Sequence, residues 1–191
     1  MISVKSRAYW LGASDASRIV GNRNTETWQK WWTEKLGLYS EHFQNRYTLA
    51  GTNYEHRILR AVEKDRMIRL ELDKQIRMED LRVRINYDGV YGNSIYECKT
   101  YSAGKMFKVT KDYWRQAQME MWGLGSDDLS IVAYPLDEEN YNNYWLAIDR
   151  EKLEYHKVER DDEFIEKKLL PNILELAECI KKGIFPEEGD K

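Results

Sequence analysis

One stretch of alternating polar and apolar residues, with a short turn signal inside it, constrains the fold of this chain more than any other. Polar and apolar residues alternate strictly over 82–88, which is the period of a β-strand with one buried face. Gly92-Asn93 is a two-residue turn signal, and the alternation resumes after it. We therefore predict a β-hairpin in which residue 91 pairs with 94 and residue 90 with 95.

The same register places two carboxylates opposite each other, because it pairs Asp88 with Glu97. Like charges directly opposite destabilise a sheet, so we expect a compensating cation. Mg²⁺ takes oxygen ligands and often uses one or two carboxylates together with phosphate oxygens. Lys99 shares the strand face of Glu97, where its charge would polarise a phosphate or orient a water molecule. A surface hairpin with scattered charges is the alternative interpretation of this spacing.

Composition limits the classes of protein to consider. A chain of 191 residues is long enough for one domain with a sizeable core, and its net charge of −3 gives no global basic signature. Any contact with nucleic acid must therefore come from a local patch. Cys98 and Cys179 are too few for a disulfide framework, a four-cysteine zinc site or an iron–sulfur cluster. With no apolar leader and no run of 18 apolar residues, we expect an intracellular protein without a membrane span.

A helix from about residue 50 to residue 65 precedes the hairpin and carries a third acid. Tyr54, Ile58, Leu59 and Val62 form its apolar stripe, and Glu55 lies inside that stripe. An ionised carboxylate on a core-facing surface is costly without a cation or hydrogen-bond donors. We therefore predict that Glu55 joins the two hairpin acids, the alternative being a glutamate at the edge of the stripe.

Two helices are predicted in the N-terminal part of the chain. A short helix opens at Ser14 or Asp15 and ends at Gly21, and a longer helix covers 25–38 with Gly37 as its stop. The free N–H groups and the hydroxyl at the start of the short helix are the ingredients of an anion site. Helix capping alone explains these residues equally well.

Another predicted helix, over 112–123 and capped by Asp112, follows the hairpin. Gln118 falls within its apolar stripe and Gln116 on the far side, so we predict that Gln118 points at the site. Lys105 and Lys108 lie in the loop before this helix, where they would track a phosphate backbone, although solvated lysines explain the same pattern.

The remaining segments complete a mixed sheet with helices on its faces, an α/β fold. We predict a first strand within 67–78 that is broken at Asp73-Lys74, and two later strands at 129–134 and 144–148. A helix over 161–182 is expected to be interrupted at Pro171, because proline lacks the N–H that a helix needs.

Five segments together resemble a known family in their identity and order. The chain is similar to the YqaJ-like viral recombinases and phage lambda-type alkaline exonucleases of the PD-(D/E)XK nuclease superfamily. Tyr87 departs from the motif, which names proline there, but this position packs and supplies no ligand. The matching segments are Arg7 with Gly12-Ala13-Ser14-Asp15-Ala16, Gly51-Thr52-Asn53-Tyr54-Glu55, Asp88-Gly89, Glu97-Cys98-Lys99, and Gln116-Ala117-Gln118 followed by Trp122.

The resemblance implies roles for individual residues. The metal ligands would be Asp88, Glu97, the backbone carbonyl of Cys98, and Glu55 directly or through water, around two Mg²⁺ ions that Mn²⁺ replaces. Lys99 would assist the attacking water, and Gln118 would sit beside the scissile bond. The DNA contacts would be Arg7 and Ser14 on a terminal 5′-phosphate and Arg84, Lys105 and Lys108 on the backbone.

The resemblance also implies an activity and an organisation. It predicts a PD-(D/E)XK (restriction-endonuclease-like) core in a single domain over 1–191: N-terminal helices with the 5′-phosphate site in 1–50, the nuclease core in 51–150, and C-terminal helices in 151–191. The expected enzyme is a Mg²⁺-dependent 5′-to-3′ exonuclease on linear double-stranded DNA, acting in phage-type homologous recombination. Its expected setting is the cytoplasm of a bacterial host of a phage or prophage, with a single-strand annealing protein as partner and a homotrimer as assembly.

Two other functions stay open on the sequence. An endonuclease or single-strand nuclease of the same superfamily would have no use for Arg7 and Ser14 at a 5′ end. A catalytically silent DNA-binding module would keep the fold, but it would have no reason to retain Asp88, Glu97 and Lys99.

Overall fold

A five-stranded mixed sheet forms the centre of the molecule. The computed structural model describes residues 7–39 and 45–187. The strands are adjacent in the order of the sequence, and β3 and β4 run parallel whereas the other neighbours are antiparallel. The predicted mixed sheet is confirmed. The strands are β1 Glu71–Met78, β2 Val83–Tyr91, β3 Ser94–Ser102, β4 Asp128–Leu136 and β5 Glu154–Val158.

Helices cover both faces of this sheet, and two separate apolar clusters fill the space between them. One cluster joins alternate residues of β2, β3 and β4 to the N-terminal helices, the helix after β3 and the last helix. The other cluster joins the opposite face of the sheet to the long helix before β1. The helices are α1 Ala16–Ile19, α2 Glu26–Lys35, α3 Arg46–Arg66, α4 Lys111–Leu124, α5 Glu138–Asn142, α6 Asp162–Phe164 and α7 Leu170–Lys182.

The hairpin of β2 and β3 has the predicted turn and, near that turn, the predicted register. Tyr91 lies opposite Ser94 and Val90 opposite Ile95. The paired register ends with Gly89 opposite Tyr96, so Asp88 and Glu97 are the next residues along the two strands and form no backbone pair. Instead the Asp88 side chain takes the place of a backbone acceptor, because its Oδ2 accepts a hydrogen bond from the backbone N–H of Cys98 at 2.9 Å.

Several predicted helix ends need correction. Asp15 occupies the N-cap position of α1, but its side chain makes no capping hydrogen bond to that helix; it ends a 3-10 turn, Ala13–Asp15, and its carboxylate accepts the N–H of Gly12. Thr110, not Asp112, caps α4, because its hydroxyl accepts the N–H of Tyr113. Helix α3 begins at Arg46, before the predicted residue 50, since Asn45 provides a capping box there.

One predicted strand is wrong and another strand was missed. Residues 144–148 form no regular element, although Tyr144 and Ile148 are partly buried against the second apolar cluster. The fifth strand is β5, which lies after residue 150, so the sheet extends into the segment 151–191 that was predicted to be helical. The predicted break in the first strand is also wrong, because β1 continues through Asp73 with a positive φ of 55° at that residue.

The predicted interruption of the C-terminal helix is confirmed and takes a specific form. Pro171 lies in the first turn of α7, directly after a π-helical turn, Ile165–Leu169, that follows α6. Gly183, with a φ of 68°, ends α7. No helix in the described ranges is long and apolar enough to cross a membrane.

Candidate active site

A cavity of about 200 Å³ opens where the N-terminal segment, the β2–β3 hairpin and α4 meet. Five of the site residues predicted from sequence line this cavity. Asp88 and Glu97 belong to the predicted acid site, and Arg7, Ser14 and Arg84 were predicted to bind DNA phosphates. The lining is made by Arg7, Trp10, Gly12, Ala13, Ser14, Asp15, Lys35, Arg84, Asn86, Asp88, Glu97, Gln116 and Glu120.

A backbone bridge brings the N-terminal segment to this place. Leu11 pairs in parallel with Val83 at the start of β2. The N–H of Leu11 donates to the carbonyl of Arg82 at 2.7 Å, and the N–H of Arg84 donates to the carbonyl of Leu11 at 2.9 Å. The 3-10 turn that follows then presents Ser14, which is exposed, at the cavity.

Asp15 anchors this turn rather than binding a ligand. Its Oδ2 lies 2.5 Å from the Lys35 ammonium, and its Oδ1 accepts the indole N–H of Trp31 at 2.8 Å. Burial alone would raise the pKa of Asp15, but Lys35 and the donated hydrogen bonds outweigh burial and lower it. Asp15 is therefore an ionised, fully bonded residue in the wall of the cavity.

Asp88 and Glu97 are the acids at the centre of the site. Burial raises the pKa of Asp88 well above its ordinary value, and the neighbouring charges of Glu97 and Glu55 raise it further. Glu97 is buried, and its Oε1 lies 2.6 Å from the Lys99 ammonium. Burial opposes the charge on Lys99, but the Glu97 carboxylate more than compensates and raises the pKa of Lys99. Lys99 therefore carries its positive charge at the edge of the acids, as predicted.

Gln116, not Gln118, is the glutamine at the site. The Gln116 amide nitrogen donates to Glu97 Oε1 at 2.6 Å, and its amide oxygen accepts from Lys99 at 3.2 Å. Gln118 is fully buried away from the cavity, where it donates to the Glu159 carbonyl and accepts the N–H of Asp161. The predicted role of Gln118 at the site is wrong, and its observed contacts join α4 to the end of β5.

Glu120 is a site residue that the sequence reasoning missed. It is fully buried, lines the cavity, and accepts a hydrogen bond at Oε1 from the Gln116 amide nitrogen at 2.8 Å. Burial raises the pKa of Glu120 well above its ordinary value, and the charge of Glu97 adds to the shift. A signal was present in the sequence, because Gln116 and Glu120 are four residues apart and so share a helix face.

Glu55 lies on the other side of the acids, on α3. It is half-buried, and its pKa is raised by burial first and by the charge of Glu97 second. It groups with His56 and Asp73, since the ligand atoms of these three residues lie within 4.8 Å of one another. Among the described residues no other such trio of histidine, cysteine or acidic side chains is present, so Glu55, Asp88 and Glu97 are less tightly grouped.

Solved structures of exonucleases share this architecture. The alkaline exonuclease LHK-Exo of Laribacter hongkongensis matches with a TM-score of 0.68 at 18% identity, over 93% of this chain and 92% of that chain. The same exonuclease in complex with dAMP matches with a TM-score of 0.66 at 16% identity, over 94% and 91%. A phage-related exonuclease from Haemophilus somnus matches with a TM-score of 0.60 at 18% identity, over 91% and 92%.

The chain has the fold of an alkaline exonuclease. The resemblance inferred from sequence motifs is thus confirmed at the level of the fold. Neither a family model nor the sequence of a curated protein matches the chain.

The residues predicted to contact the DNA backbone lie in two places. Arg84 is half-buried in the cavity wall, and its pKa is lowered by burial first and then by the charges of Arg77 and Arg7. Lys105 and Lys108 are exposed in the loop after β3 and do not line the cavity. Positive charge that can meet a phosphate is therefore concentrated at the N-terminal side of the cavity.

Proposed function

We propose that this chain is a Mg²⁺-dependent deoxyribonuclease that degrades linear double-stranded DNA from its 5′ ends, with a role in phage-type homologous recombination. One observation carries the proposal: a single cavity is lined by Asp88 and Glu97 and also by Arg7 and Ser14. The first pair suits hydrolysis of a phosphodiester, and the second suits a terminal phosphate. The shared fold with proteins named as exonucleases supports the same proposal.

The residues present fit a hard divalent cation. Burial first and the charge of Glu97 second raise the pKa of Asp88, and a cation between the two acids would offset both effects. The proposed ligands are Asp88, Glu97, the carbonyl of Cys98, and Glu55 directly or through water. A pair of Mg²⁺ ions, or Mn²⁺ in their place, would supply activation of the attacking water and stabilisation of the departing oxygen.

The other residues of the cavity would position the DNA. Lys99 holds Glu97 through an ion pair, and Gln116 bonds to both of them, so the three side chains keep one arrangement. The guanidinium of Arg7 and the hydroxyl of Ser14 would bind a terminal 5′-phosphate through charge-assisted hydrogen bonds. The positive charge of Arg84 would attract further phosphates of the DNA backbone to the same wall of the cavity.

A comparison of DNA forms tests the proposal. Linear, nicked and covalently closed duplexes are incubated with Mg²⁺ or with EDTA, using wild type and a folded Glu97→Gln variant. We expect wild type to degrade linear DNA only with Mg²⁺, to leave closed circles intact, and Glu97→Gln to be inactive. Ready cutting of closed circles would favour the endonuclease alternative. Binding of DNA without hydrolysis would favour the silent module.

The proposal extends to partners and setting. The resemblance adds a single-strand annealing protein as partner, a homotrimer as assembly, and the cytoplasm of a bacterial host as the place of action. Light scattering after size-exclusion chromatography tests the trimer, which would be three times the 22.8 kDa of one chain. A mass of one chain at all concentrations would contradict it.

A further inference from the structure

Three arginines lie close together where β2 meets β1, the strand at the edge of the sheet. Arg77 of β1 is directly opposite Arg84 of β2 in the backbone register. Arg84 and Arg7 line the cavity, whereas Arg77 is exposed outside it. Like charges directly opposite each other destabilise a sheet, so the pair of Arg77 and Arg84 calls for a compensating partner.

The described residues provide little of that compensation. The pKa of Arg84 is lowered by burial first, and then by the positive charges of Arg77 and Arg7. Asp15 acts in the opposite direction, but its effect is the smallest, and its carboxylate is already bonded to Lys35. Arg77 donates to a neutral acceptor, the amide oxygen of Gln75.

An indole ring holds the two opposed arginines. The guanidinium carbons of Arg77 and Arg84 each lie 5.9 Å from the centre of the Trp10 ring, within the range of a cation–π interaction. Trp10 itself lines the cavity. Because the ring carries no net charge, it attracts both guanidinium groups without neutralising them, and two positive charges remain.

The polar face of β2 connects these charges to the acids of the site. Arg84, Asn86 and Asp88 alternate along β2, and all three line the cavity. Gln75 lies opposite Asn86 and donates to its amide oxygen at 2.6 Å, so the polar surface continues onto β1. A row of positively charged and hydrogen-bonding groups therefore runs from the acids to the edge of the sheet.

We propose that Arg77, Arg84 and Trp10 form a subsite for an internal phosphate of the DNA duplex, separate from the terminal 5′-phosphate at Arg7 and Ser14. An anion offsets two opposed guanidinium groups, and a phosphate matches the planar fork of an arginine. The inference rests on the proposed function, because that function makes DNA the ligand. Arg77 extends the DNA-binding surface from the cavity wall to the edge strand.

Binding of duplex DNA to the full chain tests this assignment, measured by fluorescence anisotropy over a salt series with EDTA present to prevent hydrolysis. The two probes are duplexes that differ only in a 5′-phosphate or a 5′-hydroxyl. We expect Arg77→Ala to weaken binding of both duplexes equally, by about tenfold at low salt. The slope of log Kd against log salt should fall by about 1, the value for one phosphate contact. Arg7→Ala should act mainly on the phosphorylated duplex.

Two further variants make the pattern specific. Arg69→Ala is the matched control, because it also removes an exposed arginine near β1, but one that lies 3.8 Å from the Glu63 carboxylate. Its Kd should match that of wild type. Arg77→Lys keeps the charge and should keep the salt slope of wild type.

Thermal unfolding without DNA separates a phosphate contact from a structural role of Arg77. Because Arg77→Ala removes one of two opposed like charges, its Tm should hold or rise. A Tm that falls together with the affinity would mean that Arg77 supports the sheet, and would overturn the inference.

Two binding results would also overturn it: Arg77→Ala with the Kd and salt slope of wild type, or Arg77→Ala that weakens only the phosphorylated duplex. The second result would place Arg77 in the terminal phosphate site. These failures differ from failure of the proposed function, which is read from hydrolysis of linear DNA with Mg²⁺. The expected binding pattern without any hydrolysis would preserve the subsite and remove the exonuclease.

Discussion

Gln116 connects α4 to the acids and the lysine of the site. Its amide bonds to Glu97, Lys99 and Glu120, so removing it takes one hydrogen bond from each of three side chains. We expect Gln116→Ala to lower kcat on linear duplex DNA at least tenfold, because catalytic groups lose rate when their orientation is not fixed. Steady-state kinetics with 5′-phosphorylated duplex measures this loss.

Gln118→Ala, two residues further along α4, is the matched control. It removes the partner of two backbone groups near the end of β5, which costs roughly 1–3 kcal/mol of unfolding free energy. We expect Tm to fall by several degrees and kcat of the folded enzyme to stay at the wild-type value. If Gln118→Ala lost kcat while Tm stayed unchanged, Gln118 would act in the active site after all.

The Asp15–Lys35 pair gives a prediction about stability and pH. Asp15→Asn leaves a lysine that is 5% exposed without its counter-charge, and loss of one partner of a buried pair costs roughly 3–5 kcal/mol. Because the pKa of folded Asp15 lies below its ordinary 3.8, the pair stabilises the fold fully above about pH 5. Its contribution is lost as the pH falls through the lowered folded-state pKa.

Urea unfolding of wild type and Asp15→Asn over a pH series tests this sign. The difference in unfolding free energy should be constant from pH 5 to 8 and should shrink below pH 4. The double variant with Lys35→Met should recover part of the lost stability. A difference that grows on acidification would show that Asp15 is protonated in the folded protein.

The two glutamines show what sequence periodicity can and cannot predict at this scale. The apolar stripe of α4 correctly identified Gln118 as a buried residue. The error was to equate the apolar stripe with the site, because the side of α4 opposite Gln118 is buried as well. Gln116 and Glu120 lie on that opposite side, one turn apart, and their four-residue spacing was the only local sign of it.

At the scale of elements, a close contact with β2 positions α4, the helix that carries Gln116 and Glu120. Gly123 lies where the helix approaches the strand, and a Cβ there would come within 2.4 Å of the Ile85 side chain and 2.8 Å of the Tyr87 hydroxyl. We expect Gly123→Ala to cost about 1–3 kcal/mol, because both neighbours are packed in the core. The shift of α4 should also lower kcat, since Gln116 and Glu120 move with the helix.

Gly51→Ala is the matched control for this helix–strand contact. It lies in α3, and its Cβ would meet the Thr100 hydroxyl at 3.3 Å, the end of one side chain. Alanine in a helix gains roughly 0.5–1 kcal/mol over glycine, so stability should hold or rise. Urea unfolding and kinetics of the two variants separate these outcomes, and equal effects would mean that α4 tolerates displacement.

Elements that follow one clear period were predicted well, and elements at the margin of the sheet were not. The hairpin turn and the long helices follow from alternation, helical stripes and glycine stops. The segment 144–148 has strand-forming residues, but they pack against the second apolar cluster as an irregular chain. Strand β5 is mostly polar because it lies at the edge of the sheet, and only its last residue, Val158, is buried.

At the scale of the whole molecule, the cavity joins the N-terminal segment to the hairpin, and this union predicts a preference for one kind of DNA end. We expect linear duplexes with a 5′-phosphate to be degraded faster than duplexes with a 5′-hydroxyl, and Arg7→Ala to remove most of the difference. One charged hydrogen bond is worth roughly 1.5–3 kcal/mol, about ten- to hundredfold in binding.

Initial rates on two duplexes that differ only in this phosphate measure the effect. Lys108→Ala, in the exposed loop outside the cavity, is the control and should lower both rates equally. Equal rates of wild type on both ends would show that Arg7 and Ser14 pack the first turn and bind no phosphate.

Local sequence patterns could not predict that the N-terminal segment and the hairpin meet in one cavity. Periodicity identified the acids and the N-terminal motif separately, and only the family resemblance put them in one site. The cause is physical, because the contact is made by the backbone of Leu11 on β2, and backbone pairing across a long stretch of chain leaves no local signature.

The bridge from Leu11 to Val83 also governs when the site can exist during protein synthesis. Residues 7–15 leave the ribosome early, but their docking strand follows much later, and Gln116 and Glu120 later still. A nascent chain therefore lacks part of the cavity wall until α4 has been made. On the proposed function, a truncated copy that ends before α4, which closes at residue 124 of 191, would leave the DNA of the producing cell intact.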